Sequence, residues 1–237
     1  RDIQPGWRML EAPDVRPVLG FQPGFGVNIG SSRLGMTRSF EFEVPENGFY
    51  EIRFRALVAG NGGIGELQID GYPIGTYDFY SNDAGYVIRP MRIMELEQGT
   101  HTLTLTVVGR NPESPEGTAG HRMTASRLYL EELDERPVID DLVIESSHAE
   151  IFVGSEAKLS TYGVGMNGDT PIDLGNRSVI YESGNPNIVE VNEETGWMVA
   201  RDVGETSVTA SVYDNGTPLT QTLPITVQSR ASAPTLG

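Results

Sequence analysis

Alternation of apolar and polar residues with a period of two runs through this chain, and the 3.6-residue spacing of an amphipathic helix is nearly absent. Phe40, Phe42 and Val44 alternate with Ser39, Glu41 and Glu43. After the turn residues Pro45 to Gly48, Tyr50, Ile52, Phe54 and Ala56 alternate with Glu51, Arg53 and Arg55. Successive side chains of a strand point to opposite faces, so each segment presents one face to a core and one to solvent. Leu67 and Ile69 lead into Asp70-Gly71, a dipeptide suited to a hairpin because Gly tolerates positive φ, and Pro73 to Phe79 return the chain. Leu103, Leu105 and Val107 alternate with threonines. Leu128 and Leu130 close a last strand before the charged stretch Glu131 to Arg136, which reads as a linker.

Beyond Pro137 the pattern restarts, with short apolar runs at Leu142 to Ile144, Ile151 to Val153, Ala157 to Tyr162, Val179 to Tyr181 and Ile188 to Val191. It continues through Trp197 to Val199, Val208 to Val212 and Leu223 to Val227. About seven or eight short strands fit an Ig-like sandwich. The tail Ser229 to Gly237, rich in Ala, Ser and Pro, reads as a linker to further domains. The expected organisation is therefore all-β, with one domain over residues 1–136, a second over 137–228 and a tail over 229–237.

Composition supports two cores. The 237 residues exceed the commonest single-domain size, and 28 Gly with 15 Pro imply many turns. The net charge is −16, and residues 1–136 carry 13 Arg against 19 acids. Such a surface argues against a nucleic-acid partner, which needs a basic face. With no cysteine there is neither a disulfide nor a thiolate site. No apolar run approaches the roughly 18 residues that span a membrane, so no membrane partner is expected. The chain opens at Arg1 without Met or a basic-then-apolar leader, and we read it as a piece of a longer protein that is secreted or held on a bacterial surface.

Arranged catalytic groups are missing from the sequence. His101, His121 and His148 stand apart, without metal-ligand spacing. Gly62-Gly63-Ile64-Gly65 and Gly24-Phe25-Gly26 open no helix that could hold an anion, and they read as turns. Acid pairs such as Glu41 with Glu43 or Asp140 with Asp141 follow from chance among 33 acids. No Gly-x-Ser-x-Gly elbow occurs.

Two resemblances sharpen this. Val153 to Glu156, Tyr181-Glu182-Ser183-Gly184-Asn185-Pro186-Asn187-Ile188-Val189-Glu190-Val191, Gly196 to Ala200 and Val203 to Ala210 resemble the bacterial Ig-like domains of group 2 over about residues 140–228. The resemblance implies a rigid spacer. Phe40 to Pro45, Gly48 to Phe54, Ile69-Asp70-Gly71, Ile74 to Ser81 and Glu97 to Leu105 resemble the galactose-binding-like jelly-roll modules of carbohydrate-binding families 6 and 35, over roughly residues 5–133. That resemblance implies a jelly-roll β-sandwich that binds a polysaccharide. Such modules often hold a structural calcium between acids of the first strand and an Asp of the last. Here Ser126 and Arg127 stand where that Asp would fall, and only Glu11 and Asp14 lie near the first strand, so no cofactor is expected.

Sugars are recognised in water by flat aromatic faces against pyranose C–H groups and by polar side chains that fix the hydroxyls. Arg adds a fork that fits carboxylate oxygens. Loops carrying those residue types are the candidates. Phe25, Asn28 and Arg33 come from the first, Tyr80 and Asn82 from the second, and Arg110, Asn111, His121 and Arg122 from the third. Tyr72, Tyr77 and Phe79 are expected to pack, as is Trp7, and Arg53 with Arg55 to face solvent on their strand, or a ligand if that sheet face is concave. The 16 Arg against one Lys favour an anionic glycan. Three functions compete: a binding module with a spacer from a secreted polysaccharide-degrading enzyme, a structural or adhesive fragment of a surface protein with a protein partner, and a small hydrolase or lyase.

Overall fold

In the computed structural model the described residues are 7–10, 27–28, 34–165, 168–175, 177–214 and 216–229, with only the backbone described at 7–10, 27–28, 118–119, 168–169, 214 and 217. Their regular structure is all-β, apart from one short 3-10 turn at Gly117–His121. The chain divides into two compact units, Arg1–Pro137 and Val138–Gly237.

The strands of the first unit are β1 (Trp7–Leu10), β2 (Val27–Asn28), β3 (Thr37–Val44), β4 (Gly48–Val58), β5 (Gly63–Ile69), β6 (Tyr72–Asp78), β7 (Gly85–Leu96), β8 (Gly99–Arg110) and β9 (Thr124–Leu133). They form two facing sheets, a jelly-roll sandwich. One runs β1-β9-β4-β7, with β2 sharing the β9 edge, and the other runs β3-β8-β5-β6. The alternation read from the sequence is what builds it: Tyr50, Ile52, Phe54, Ala56 and Val58 of β4 all point inward and are buried, and the residues between them are not. They meet Leu67, Ile69, Ile74, Leu103 and Leu105 from the opposite sheet in one core. Full burial of such a side chain contributes about 1.5–3 kcal/mol. Phe54 stands edge-on to Tyr77 and Phe79, with centroids 5.4 and 6.3 Å away, so both rings expected to pack do so, whereas Tyr72 is exposed. Tyr77 donates its hydroxyl to the Val87 carbonyl at 2.9 Å, and burial holds its pKa above the usual value despite nearby Arg89. The side chain of Trp7 lies outside the described residues.

Tight turns gather at one end of this sandwich. Asp70 (φ 51°) and Gly71 (φ 81°) both take positive φ, which makes the expected hairpin a type I′ turn. Asp70 Oδ1 accepts from the Thr102 amide at 2.8 Å. Its Oδ2 lies 2.6 Å from His101 Nδ1, and the other ring nitrogen lies 2.8 Å from the Glu97 carbonyl. Both partners are acceptors, so both bonds form only when the imidazole is protonated. Partial burial draws the His101 pKa down, but the bonds to Glu97 and Asp70, with the charges of both acids, outweigh it and leave the pKa raised. Asn47 Oδ1 accepts from the Gln98 amide at 2.6 Å and closes the remaining turn.

The second unit comprises β10 (Asp141–Ser146), β11 (Ile151–Phe152), β12 (Glu156–Gly165), β13 (Gly168–Ile172), β14 (Ile180–Ser183), β15 (Val189–Val191), β16 (Trp197–Ala200), β17 (Gly204–Asp214) and β18 (Thr217–Gln228). One sheet carries β10-β12-β16-β15, with β13 paired to the far end of β12, and the other carries β11-β18-β17-β14. The first strand is shared between sheets, β10 antiparallel to β12 and β11 parallel to β18. This is the Ig-like arrangement. Tyr181, Val189, Met198, Val208 and Val227 fill its core.

Five elements depart from the pattern reading. Gly63 and Gly65, read as turn residues, belong to β5, and β1, β2, β7 and β13 have no counterpart in the alternation. Within β7 a register shift opposite Ile52 and Arg53, beside Pro90, breaks the period of two.

Candidate functional site

The end of the first sandwich opposite the tight turns carries its longer loops, Ala59 to Gly62, Phe79 to Ala84 and Asn111 to Met123. Their main chains are laced together. Ala59 donates to the Phe79 carbonyl at 2.9 Å, and Ser81 donates back to Ala59 at 3.2 Å. On the other side Gly63 donates to the Arg122 carbonyl at 2.9 Å, and Arg122 donates to Asn61 at 3.2 Å. The segment 59–63 is thus pinned between the other two loops. Gly62 makes this approach feasible, because a Cβ there would stand 2.0 Å from the Phe79 carbonyl oxygen.

Side chains brace the same end from below. Asp78 Oδ1 accepts from the Tyr80 amide at 2.9 Å, and Oδ2 accepts from Asn111 Nδ2 at 2.6 Å. Asn111 Oδ1 in turn accepts from the Glu113 amide at 2.9 Å. Arg110 directs one terminal nitrogen at the carbonyls of Asn111, Pro112 and Ser114. Buried Ser114 donates its hydroxyl to the Gly62 carbonyl at 2.5 Å. Arg110 and Asn111, expected from the sequence to meet a ligand, therefore hold the third loop in shape. Asp78, which sequence reasoning passed over, is the hub. An acid two residues before Tyr80 matches the Asx-turn pattern, a signal that was available.

Four of the expected residues remain on the surface of this scaffold. Tyr80 donates its hydroxyl to Asn82 Oδ1 at 2.7 Å, which fixes the ring through its tip as Asp78 fixes it through its backbone. Asn82 and Arg122 are exposed. His121 donates from Nδ1 to the Gly117 carbonyl at 2.9 Å. Asn28 enters through its backbone, in register with Thr124 at the start of β9, and its side chain lies outside the described residues, as do Phe25 and Arg33. Glu11 and Asp14 are also outside them, and among the described residues no three His, Asp or Glu side chains cluster as metal ligands.

The outer face of β4 and β9 adjoins this end. Arg53 there bonds Glu51 at 2.7 Å and lies 3.3 Å from Glu131. Arg55 has different surroundings: its guanidinium lies 4.1 Å above the Tyr86 ring and bonds Ser126 Oγ at 3.1 Å. The loop end as a whole offers one fixed ring, an amide, an imidazole and a guanidinium, a set that fits hydrogen bonding to a polyhydroxylated ligand.

No protein-family profile and no curated protein matches the chain. Among solved structures, a Paenibacillus xanthan lyase is similar at 15% identity and a TM-score of 0.43, over 92% of this chain and 23% of the lyase. A Podospora anserina β-(1,4)-mannanase of glycoside hydrolase family 26 with a family 35 carbohydrate-binding module is similar at 16% identity and a TM-score of 0.40, over 58% of this chain and 30% of that one. A family 35 carbohydrate-binding module from an environmental isolate is similar at 15% identity and a TM-score of 0.33, over 52% of this chain and 91% of the module. The chain thus spans less than a third of the lyase and of the mannanase. These likenesses are distant, and the fold rests on the strand registers given above.

Proposed function

We propose that the first unit is a non-catalytic carbohydrate-binding module that holds a polysaccharide at its loop end, with Tyr80, Asn82, His121 and Arg122 as the contact set. The second unit is then an Ig-like spacer, and the whole is part of a secreted, multidomain polysaccharide-degrading protein. One observation carries this reading: Tyr80 is held at its amide by Asp78 and at its hydroxyl by Asn82, on an end whose loops are bonded into a single scaffold. A ring fixed before the ligand arrives loses little freedom on binding, which is how a small contact area yields useful affinity. The resemblance of residues 5–133 to binding modules of families 6 and 35 supports the same ligand class.

Affinity electrophoresis of the 237-residue protein through gels containing xylan, mannan, galactan or polygalacturonate tests this. At least one gel retards the protein, and Tyr80→Ala abolishes the retardation without moving the melting temperature. If no polysaccharide in a broad panel slows the protein, or if Tyr80→Ala runs like the parent, the loop end is not the binding surface. In the first outcome the adhesive reading would stand in its place.

A further inference from the structure

We propose that the outer face of the second unit binds a neutral sugar ring, stacked on Trp197 of β16 and hydrogen-bonded by Lys158 and Glu156 of β12. The claim rests on the glycan-binding reading for the ligand being a sugar, and it gives the second unit a grip of its own besides its reach.

The strand pattern decides which way these residues point. Met198 and Ala200 of β16 are buried in the core with Ala157 and Leu159 of β12, so Trp197, Val199, Glu156 and Lys158 lie on the opposite face. The register sets Trp197 directly across from Lys158, and Val199 across from Glu156. The turn before Trp197 is closed on itself. Asn192 Oδ1 accepts from the amides of Glu194 and Thr195 and from the Thr195 hydroxyl. Gly196 takes φ 68°, at a point where a Cβ would stand 2.9 Å from the Tyr181 ring. The Trp197 carbonyl then accepts from the Asn192 amide at 2.7 Å. The indole is thus carried on a backbone with little freedom left to lose on binding.

Trp197 is 52% exposed, so packing of the core does not account for it. Lys158 Nζ lies 5.9 Å from its ring centroid, and no carboxylate pairs with that ammonium among the described residues. Lys158 is the only lysine of the chain, and the residues after Pro137 carry 14 acids against three Arg and this Lys. An ammonium kept beside an indole, with the exposed carboxylate of Glu156 two residues along the same strand, edges a flat apolar face with a donor and an acceptor. A pyranose asks for that combination, through its C–H face and its rim of hydroxyls. The acidic field of the unit opposes a uronate and leaves a neutral sugar as the match. A protein partner fits less well, because a stable interface covers about 800 Å² on each side around a core depleted of charge. Here the apolar strip is Trp197 and Val199, and Val199 is flanked by Glu156 on one strand and Glu190 on the other.

The chain has two tryptophans, Trp7 and Trp197, so indole N–H spectra of the full chain test the proposal with two signals, and Trp197→Tyr assigns them. The titrants are the hexasaccharides of cellulose, mannan, xylan and β-1,3-glucan, with hexagalacturonate as the charged counterpart. At least one neutral hexasaccharide moves the Trp197 signal to saturation, and hexagalacturonate does not. One ring with two polar partners binds weakly, in about the millimolar range, so the site escapes gel retardation once Tyr80 is removed. In Tyr80→Ala protein the Trp197 shifts therefore persist. There, calorimetry gives at least about a tenfold loss of affinity on adding Trp197→Ala, and Trp197→Tyr, which keeps a ring, stays within about threefold. The proposal is overturned if no neutral hexasaccharide moves the signal, if hexagalacturonate moves it as strongly, or if Trp197→Ala binds as Trp197→Tyr does. It is also overturned if the signal moves with protein concentration alone, because a second copy then covers the ring. Loss of retardation in Tyr80→Ala with an unmoved Trp197 signal removes this site and leaves the loop-end reading, and a moving Trp197 signal with undiminished retardation in Tyr80→Ala does the reverse.

Discussion

The two ends of the first sandwich are built from similar residues and put them to different use. At the turn end, Asp70, His101, Glu97, Asn47 and Gln98 bond one another across three hairpins. At the loop end, Asp78, Asn111, Arg110 and Ser114 do the same work, but below the surface, and Tyr80, Asn82 and Arg122 stand above it. A short hairpin has no second layer, so every polar group it contains goes into closing the turn. A loop of a dozen residues can divide its side chains between a brace and a contact surface. An inward-bonded acid at a loop end is therefore as informative about function as the exposed residues it supports.

The largest effect that separates the ends is expected from Gly62→Ala. Its Cβ would meet the Phe79 carbonyl at 2.0 Å, and the laced loops must part. Stability falls by about 3 kcal/mol, measured by urea unfolding, and polysaccharide retardation is lost with it. Next is Asp78→Ala, which frees the Tyr80 amide and the Asn111 carboxamide together. It lowers stability by about 2 kcal/mol and weakens binding, whereas Asn47→Ala at the turn end lowers stability alone.

A smaller effect distinguishes the ends by pH. The His101 pKa is raised in the folded state, so its contribution is complete below the unfolded value of about 6.5 and is lost as pH climbs through the folded value. The stability gap between the parent and His101→Ala therefore narrows from pH 6 towards pH 9, measured by urea unfolding at each pH. A gap that widens with pH would mean that the imidazole is neutral between its two acceptors. The smallest effect on stability belongs to Tyr80→Ala, within about 0.5 kcal/mol by thermal melting, although it abolishes binding.

Much of the scaffold was legible in the sequence. Phe40 to Val44 and Tyr50 to Ala56 alternate cleanly because one face of each strand packs on the core, and Asp70-Gly71 declared its turn through the positive φ that it must adopt. β7 was hidden by its own irregularity: Pro90 and the adjacent register shift carry Met91 and Met94 inward out of step. The site was less readable. Tyr80 and Asn82 are sequence neighbours whose pairing a local reading could reach. Asn111 looked like a ligand residue because its partner, Asp78, lies 33 positions away. The facing of Trp197 and Lys158 depends on which strands pair and in what register, and alternation within a strand is silent on both.

β9 ends at Leu133, in register with Phe49 near the first residue of β4. The chain accordingly passes out of the first sandwich at the pole of the hairpins, so on the proposed reading its exit and the polymer contact stand at opposite poles, and substitutions just after Leu133 spare the glycan contacts.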